Sequence, residues 1–272
     1  MAAVEDNAPQ LVDIGANLTH SSFRHDLDAV IARARAAGVA WMVVTGASRE
    51  GSAQALHLAR AYPERLRATA GIHPHEASSY GPDVARELAT LAAQPEVVAL
   101  GEMGLDYNRN YSPQPCQAEV FEAQLEAAAA HGKPLFLHQR DAHADFLAIL
   151  KPWRHRFPAA VAHCFTGTRE EMCDYLDLDL HIGITGWICD ERRGLHLRDF
   201  LHEMPPGRLM IETDAPYLLP RDLEPTPKDR RNEPAFLPHI LAAVAAALRR
   251  PPRQVADETT ATARAFFGLP AE

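Results

Sequence analysis

A chain of 272 residues, 47% of them hydrophobic, has the material for a sizeable core; it exceeds the usual domain length, but single α/β barrels run to about 250 residues. Its net charge of −9 and pI near 5.9 exclude a protein that coats nucleic acid through clustered Lys and Arg, so any such contact has to be local. No apolar run approaches the roughly 18 residues that a membrane span needs.

The first ten residues, MAAVEDNAPQ, lack the basic end and apolar stretch of a signal peptide; they read as a loose leader on a chain kept in the cytoplasm. A single domain is expected over residues 11–272. The first strand candidate is LVDIGA (11–16). The helical pattern RHDLDAVIARARAAG follows, with Leu27, Val30, Ile31 and Ala34 on one face and Gly38 as terminator. Strands are expected next at VAWMVVTG (39–46), LRATAGI (66–72) and VVALGE (97–102). A second clear helix, AEVFEAQLEAAAAHG, carries Val120, Phe121 and Leu125 as its stripe and Gly132 at its end. The remaining strands are PLFLHQ (134–139), AAVAHCF (159–165), LHIGITG (180–186) and RLMIETD (208–214), and a Pro-rich loop at 220–234 precedes the last helices. Near-continuous apolar strands alternating with amphipathic helices indicate a parallel sheet covered by helices, and eight units indicate a (β/α)8 TIM barrel. Neither G-x-G-x-x-G after the first strand nor a Walker sequence is present. Cys116, Cys164, Cys173 and Cys189 show no C-x-x-C spacing and read as reduced packing residues.

In such a barrel the chemistry sits where strands give way to loops. The polar residues there are Asn17 and Thr19 after strand one, His73 and His75 after strand three, Glu102 at strand four, His138 at strand five, His163 at strand six and Asp214 at strand eight. Imidazoles and carboxylates from separate strands meeting at one mouth are what a divalent cation in a hydrolytic site requires. Each residue alone has an ordinary structural role open to it; Asp214, for example, would cap the turn at Pro216. Taken together, Glu102, His138, His163 and Asp214 form the expected metal-ligand set. His73 and His75 are either exposed imidazoles on a rigid Pro74 turn or groups that bind phosphate and move protons beside the metal.

The blocks DIGANL, GIHPHEA, GEMGLDYNRN, FLHQRDAH, HCFTGTREEM, IGITGWICDERRG, IETDAPYLLPRDL and RRNEPAFLPHI, in this order, closely resemble the TatD family of metal-dependent deoxyribonucleases. The resemblance runs from about residue 11 to the C-terminal helices. It implies an amidohydrolase-like TIM barrel with divalent-metal-dependent 3′–5′ exonuclease activity that prefers single-stranded DNA, with RNA as a further substrate, in DNA repair or degradation. It assigns metal binding to Glu102, His138 and His163, metal binding or water activation to Asp214, and site roles to His73 and His75. Where related hydrolases carry His-x-His on the first strand, this chain has Asn17 and Thr19. These weak oxygen donors imply one firm metal site and a weaker second one suited to Mg²⁺, with Mn²⁺ or Zn²⁺ as alternatives for the ion.

The expected mechanism is in-line attack of metal-activated water on a phosphodiester, Asp214 taking the proton and His73 or His75 serving the phosphate or the leaving oxygen. Arg140, Arg192, Arg193 and Arg221, with Arg109, Arg169, Arg230 and Arg231, are either phosphate contacts at the mouth or solvated surface charge. Tyr217, Tyr107, Tyr111 and Trp187 are candidates to stack on unpaired bases or to pack at the rim. A monomer is expected. Two other readings stay open at this level: an ester or amide hydrolase such as a deacylase of mischarged aminoacyl-tRNA, and a binding protein assisting protein export.

Overall fold

The computed structural model describes residues 10–270. The expected leader lies outside the described residues apart from Gln10, whose carbonyl accepts from Thr260 Oγ1 at 2.9 Å and whose side-chain oxygen accepts from Arg264 at 2.8 Å.

In chain order the elements are β1 (Leu11–Ala16), α1 (Leu27–Ala36), β2 (Val39–Val44), α2 (Arg49–Ala61), β3 (Leu66–Ala70), α3 (Pro82–Ala92), β4 (Val97–Asp106) and α4 (Gln114–Ala128). They continue as β5 (Leu135–Arg140), α5 (His143–Leu150), β6 (Ala160–Ala162), α6 (Arg169–Asp177), β7 (His181–Ile184), α7 (Leu197–Phe200), β8 (Leu209–Ile211), α8 (Leu237–Leu248) and α9 (Pro252–Phe267). The strands form one parallel sheet in sequence order, β1 to β8. The ends of the sheet meet through Asp214 N to Gly15 O at 2.8 Å and Asn17 N to Ala215 O at 2.7 Å, which bring the barrel close to closure. Between these bonds and the strand bodies the carboxylate of Asp13 accepts from Thr213 N at 2.9 Å and Thr213 Oγ1 at 2.5 Å, fastening the seam where β1 and β8 share no ladder among the described residues.

Side chains alternate along the strands, as the pleat requires. Leu135 and Leu137, Ala160 and Ala162, and Leu209 and Ile211 belong to the large core between sheet and helices. Their neighbours Phe136, Val161 and Met210 join Val12, Ile14, Val43 and Ala99 in a second cluster, the barrel interior, into which α9 sends Phe266 and Phe267. Burying each such side chain contributes about 1.5–3 kcal/mol. The expected stripes are present: Val30, Ile31 and Ala34 are buried on α1, and Val120, Phe121 and Leu125 on α4. Gly38 and Gly132 follow these helices in the left-handed region, with φ of 86° and 62°.

Several boundaries depart from the sequence reading: β6 (Ala160–Ala162) and β8 (Leu209–Ile211) stop short of the expected ends, so His163 and Asp214 follow them in the loops, while β4 is longer. The fourth strand continues past residue 102 to Asp106, with a register shift between Leu100 and Met103. Gly104, at φ 144°, makes the close approach possible, since a Cβ there would meet the carbonyl oxygen of His138 at 1.9 Å. Glu102 therefore sits inside a strand at an irregularity rather than at its end.

Candidate active site

Interior-facing positions one step beyond the apolar plug are polar. His138 follows Phe136 by two residues, His163 follows Val161 and Glu212 follows Met210, so the same pleat that fills the barrel aims these three side chains into its mouth. The shift in β4 adds Glu102 to them.

Glu102 is the hub. Its Oε1 lies 2.7 Å from His163 Nε2, 3.0 Å from His138 Nδ1 and 3.3 Å from His73 Nε2. His163 is held on its other side by Glu212, whose Oε2 is 3.3 Å from Nδ1. Gly15 and Gly183 leave the room for that carboxylate, because a Cβ on them would stand 2.3 and 2.6 Å from its oxygens. A second carboxylate, Asp106, places Oδ2 2.8 Å from His75 Nε2 and 3.5 Å from His138 Nε2. Asp214 accepts from Asn17 Nδ2 at 2.8 Å and has a left-handed backbone, φ 54°, a conformation uncommon outside glycine and found at functional sites.

Burial opposes charge on Glu102, but the imidazoles of His73, His163 and His138 outweigh it and hold its carboxyl well below the usual range. Burial likewise opposes a charge on His163, yet Glu102 and Glu212, one against each ring nitrogen, hold it well above the usual value. Burial pushes His73 down to about 3 against the pull of Glu102. Burial also pushes the Asp214 carboxyl up to about 7, with His163 acting in the other direction. The site thus stabilises a positive charge among its carboxylates.

A divalent ion fits this place. His73, Glu102 and His138 each offer a ligand atom, all within 4.8 Å of one another. His138 Nε2 is buried without a hydrogen-bond partner, Asp106 standing at the limit of contact. Mixed imidazole and carboxylate donors suit Zn²⁺, Mn²⁺ or Mg²⁺.

Residues 12–268 match the family described as TatD related DNase. The chain belongs to the TatD family. It is 55% identical over 259 residues, 95% of this chain and 98% of the relative, to "3'-5' ssDNA/RNA exonuclease TatD" of Klebsiella pneumoniae. It is 54% identical to the protein of the same name from Edwardsiella piscicida, over 95% of this chain and 100% of that one. Among solved structures, a TatD family hydrolase from Entamoeba histolytica superposes with a TM-score of 0.87 at 25% identity, covering 97% of this chain and 99% of that one. A TatD homologue from Escherichia coli K12 gives 0.87 at 26% identity, covering 96% and 99%.

Around the hub of this TatD-family chain the sequence-derived candidates divide. Glu102 contacts His138, His163 and His73, and His75 joins through Asp106. Asn17 bonds to Asp214, whose carboxyl feels the charges of His163 and Glu102, but His163 and Asp214 fall outside the His73, Glu102 and His138 ligand group. Arg140 lines a cavity of about 230 Å³ with Gln139, His163, Thr166, Thr168 and His196. Arg192 is drawn back onto Asp190, with contacts of 3.1 and 2.9 Å, and Arg221 lies 3.2 Å from Glu191, so both are already paired with carboxylates. Arg193 lies over the Trp187 ring at 5.4 Å. Arg169 pairs with Glu203, and Arg231 with Asp26 and Glu233, as solvated or half-buried ion pairs rather than open phosphate contacts. Tyr217 and Tyr111 are exposed; Tyr107 donates to Asp145 at 3.0 Å.

Sequence reasoning missed Asp106, Glu212 and two glutamines of α4. Gln117 brackets Asp106, accepting from its N at 2.9 Å and donating to its O at 3.1 Å, while Gln124 brackets Ile72 in the same way at 2.8 and 3.0 Å. One helix face thereby fixes the backbone beside both His73 and Asp106. Glu212 had a signal, the alternation it shares with His138 and His163; the glutamines had none that periodicity would reveal.

Among the described residues, no helix is long and apolar enough to cross a membrane.

Proposed function

We propose that this chain is a divalent-metal-dependent 3′–5′ exonuclease of single-stranded DNA and RNA. The observation that carries the reading is the convergence of three imidazoles on one oxygen of Glu102 in a chain more than half identical to proteins named for that activity. Glu102, His138, His163 and Asp214 would hold the ion, with His73 beside them. A second, weaker site belongs on the Asn17 side, where the amide N–H is already used on Asp214 and only an oxygen remains as donor. Mg²⁺ is the ion we assign.

A bound ion would supply charge neutralisation at the phosphate oxygens and a lowered pKa for the attacking water. Asp214, whose Oδ1 accepts from Asn17 Nδ2, would take that proton. Asp106 fixes the tautomer of His75 with a proton on Nε2, leaving His75 Nδ1 to face the phosphate or the leaving oxygen. His73, kept neutral by burial, accepts from His75 N at Nδ1, 3.0 Å away, and so presents Nε2 toward Glu102. Arg140, in the adjoining cavity, is positioned for the substrate backbone, and the exposed ring of Tyr217 for a terminal base; Arg192, Arg193 and Arg221 would reach phosphate only by leaving their present partners.

The test is a single-stranded oligonucleotide labelled at its 5′ end, incubated with Mg²⁺ and with chelator. A metal-dependent ladder shortening from the 3′ end supports the proposal. An intact oligonucleotide with metal bound to the protein overturns it.

A further inference from the structure

We propose that this chain holds a second kind of metal centre, a Cys–Asp–His site for a zinc-like divalent ion, formed by Cys189, Asp222 and His239 at the edge of the barrel mouth. Each offers one ligand atom, and the three atoms lie within 4.8 Å of one another. The residues come from three segments: Cys189 ends the 3-10 helix after β7, Asp222 lies in the loop after β8, and His239 sits in the first turn of α8. His239 Nε2 is already 2.7 Å from Asp222 Oδ1. The Cys189 thiol is buried and forms no disulfide, whereas the Asp222 carboxylate is exposed, so the site opens to solvent on one side and has an entry path.

The donor set selects the ion. Thiolate, imidazole and carboxylate together are a combination for Zn²⁺ or another borderline-soft metal and a poor one for Mg²⁺. Metal–sulfur bonds of about 2.3 Å and metal–nitrogen or metal–oxygen bonds of about 2.0–2.2 Å put tetrahedral ligand atoms roughly 3.3–3.8 Å apart, so the present cluster needs adjustments on the order of 1 Å. In the metal-free protein burial, with Asp222 beside it, pushes the thiol up to about 12. Binding therefore releases the thiol proton to solvent as the sulfur–metal bond forms, with no change of oxidation state. Arg198, which donates to Ile188 O at 2.7 and 3.0 Å, places a positive charge that acts on the thiol and opposes the ion; Asp222 offsets it.

An ion here would tie together loops that bear Arg192 and Arg193 on one side and Arg221 on the other, each adjacent or nearly adjacent in sequence to a ligand. The site stands whether or not the chain is an exonuclease.

The experiment is titration of the chelator-treated full chain with Co²⁺, following the near-ultraviolet charge-transfer band that only thiolate ligation produces. Imidazole and carboxylate ligands around Glu102 contribute none of it. The band is expected in the wild type, absent in Cys189→Ser, and retained in Cys164→Ser and Glu102→Gln. His239→Gln, at a half-buried position and with its circular dichroism matched to wild type, should weaken Co²⁺ binding roughly 10- to 100-fold as read by the same band. No band in the wild type at saturating Co²⁺ overturns the proposal, and so does a band that survives Cys189→Ser but vanishes in Cys164→Ser, since the thiolate would then lie at the barrel centre.

Discussion

His163 Nε2 stands 2.7 Å from Glu102 Oε1 while its other ring nitrogen faces Glu212 at 3.3 Å, so one imidazole bridges two buried carboxylates, one within β4 and one just past the end of β8. Such a ring is oriented from behind by Glu212 and presented to the hub in front. Groups that orient a metal-binding imidazole in this way contribute about 10- to 100-fold to metal affinity or activity. Glu212→Gln should lower Mn²⁺ affinity by that amount, measured by calorimetry, with the folded far-ultraviolet spectrum retained. Unchanged affinity would remove Glu212 from the account.

The brackets from α4 make a separate prediction. Gln124→Leu removes both hydrogen bonds to the buried backbone of Ile72 and leaves a donor and an acceptor unpaired, at about 1–3 kcal/mol each. The urea midpoint should fall accordingly, and kcat should fall with it, because the residue just before His73 loses its bracket. A variant that loses stability but keeps full turnover would show that the bracket serves the fold alone.

Asp13 gives the pH dependence a sign. Burial, opposed by the bonds from Thr213 and Gly15, pushes its carboxyl up to about 7. The unfolded chain ionises it near 4. Below that pH both states hold the proton and the stabilisation is complete; as pH rises toward 7 the unfolded state ionises first, and the contribution is lost. Asp13→Asn does not titrate, so its stability relative to wild type should improve between pH 4 and 8, by on the order of 4 kcal/mol at most. A gap that stays constant across this range would contradict the assignment.

The barrel was legible because its physics is local: eight apolar runs, each separated by helical or turn signals, have few ways to bury themselves other than as parallel strands under helices. His138 and His163 were legible for the same reason, being polar residues at the end of otherwise apolar strands. The register shift in β4 was not, because pairing with β5 sets it, and with it went Asp106, four residues beyond the expected strand end. The arginines show the complementary limit. Their loops were read correctly, but the carboxylates that occupy Arg169, Arg192, Arg221 and Arg231 come partly from distant segments that sequence spacing does not bring together.

Three imidazoles converge on Glu102, and the proposed catalytic ion depends on that carboxylate. The most direct test compares wild type with Glu102→Gln on the 5′-labelled single strand, with Mg²⁺ and with chelator, after matching their circular dichroism spectra. A 3′-shortening ladder is expected for the wild type with Mg²⁺ only, and none above the chelator background for Glu102→Gln. Wild-type degradation by a folded Glu102→Gln protein would contradict it.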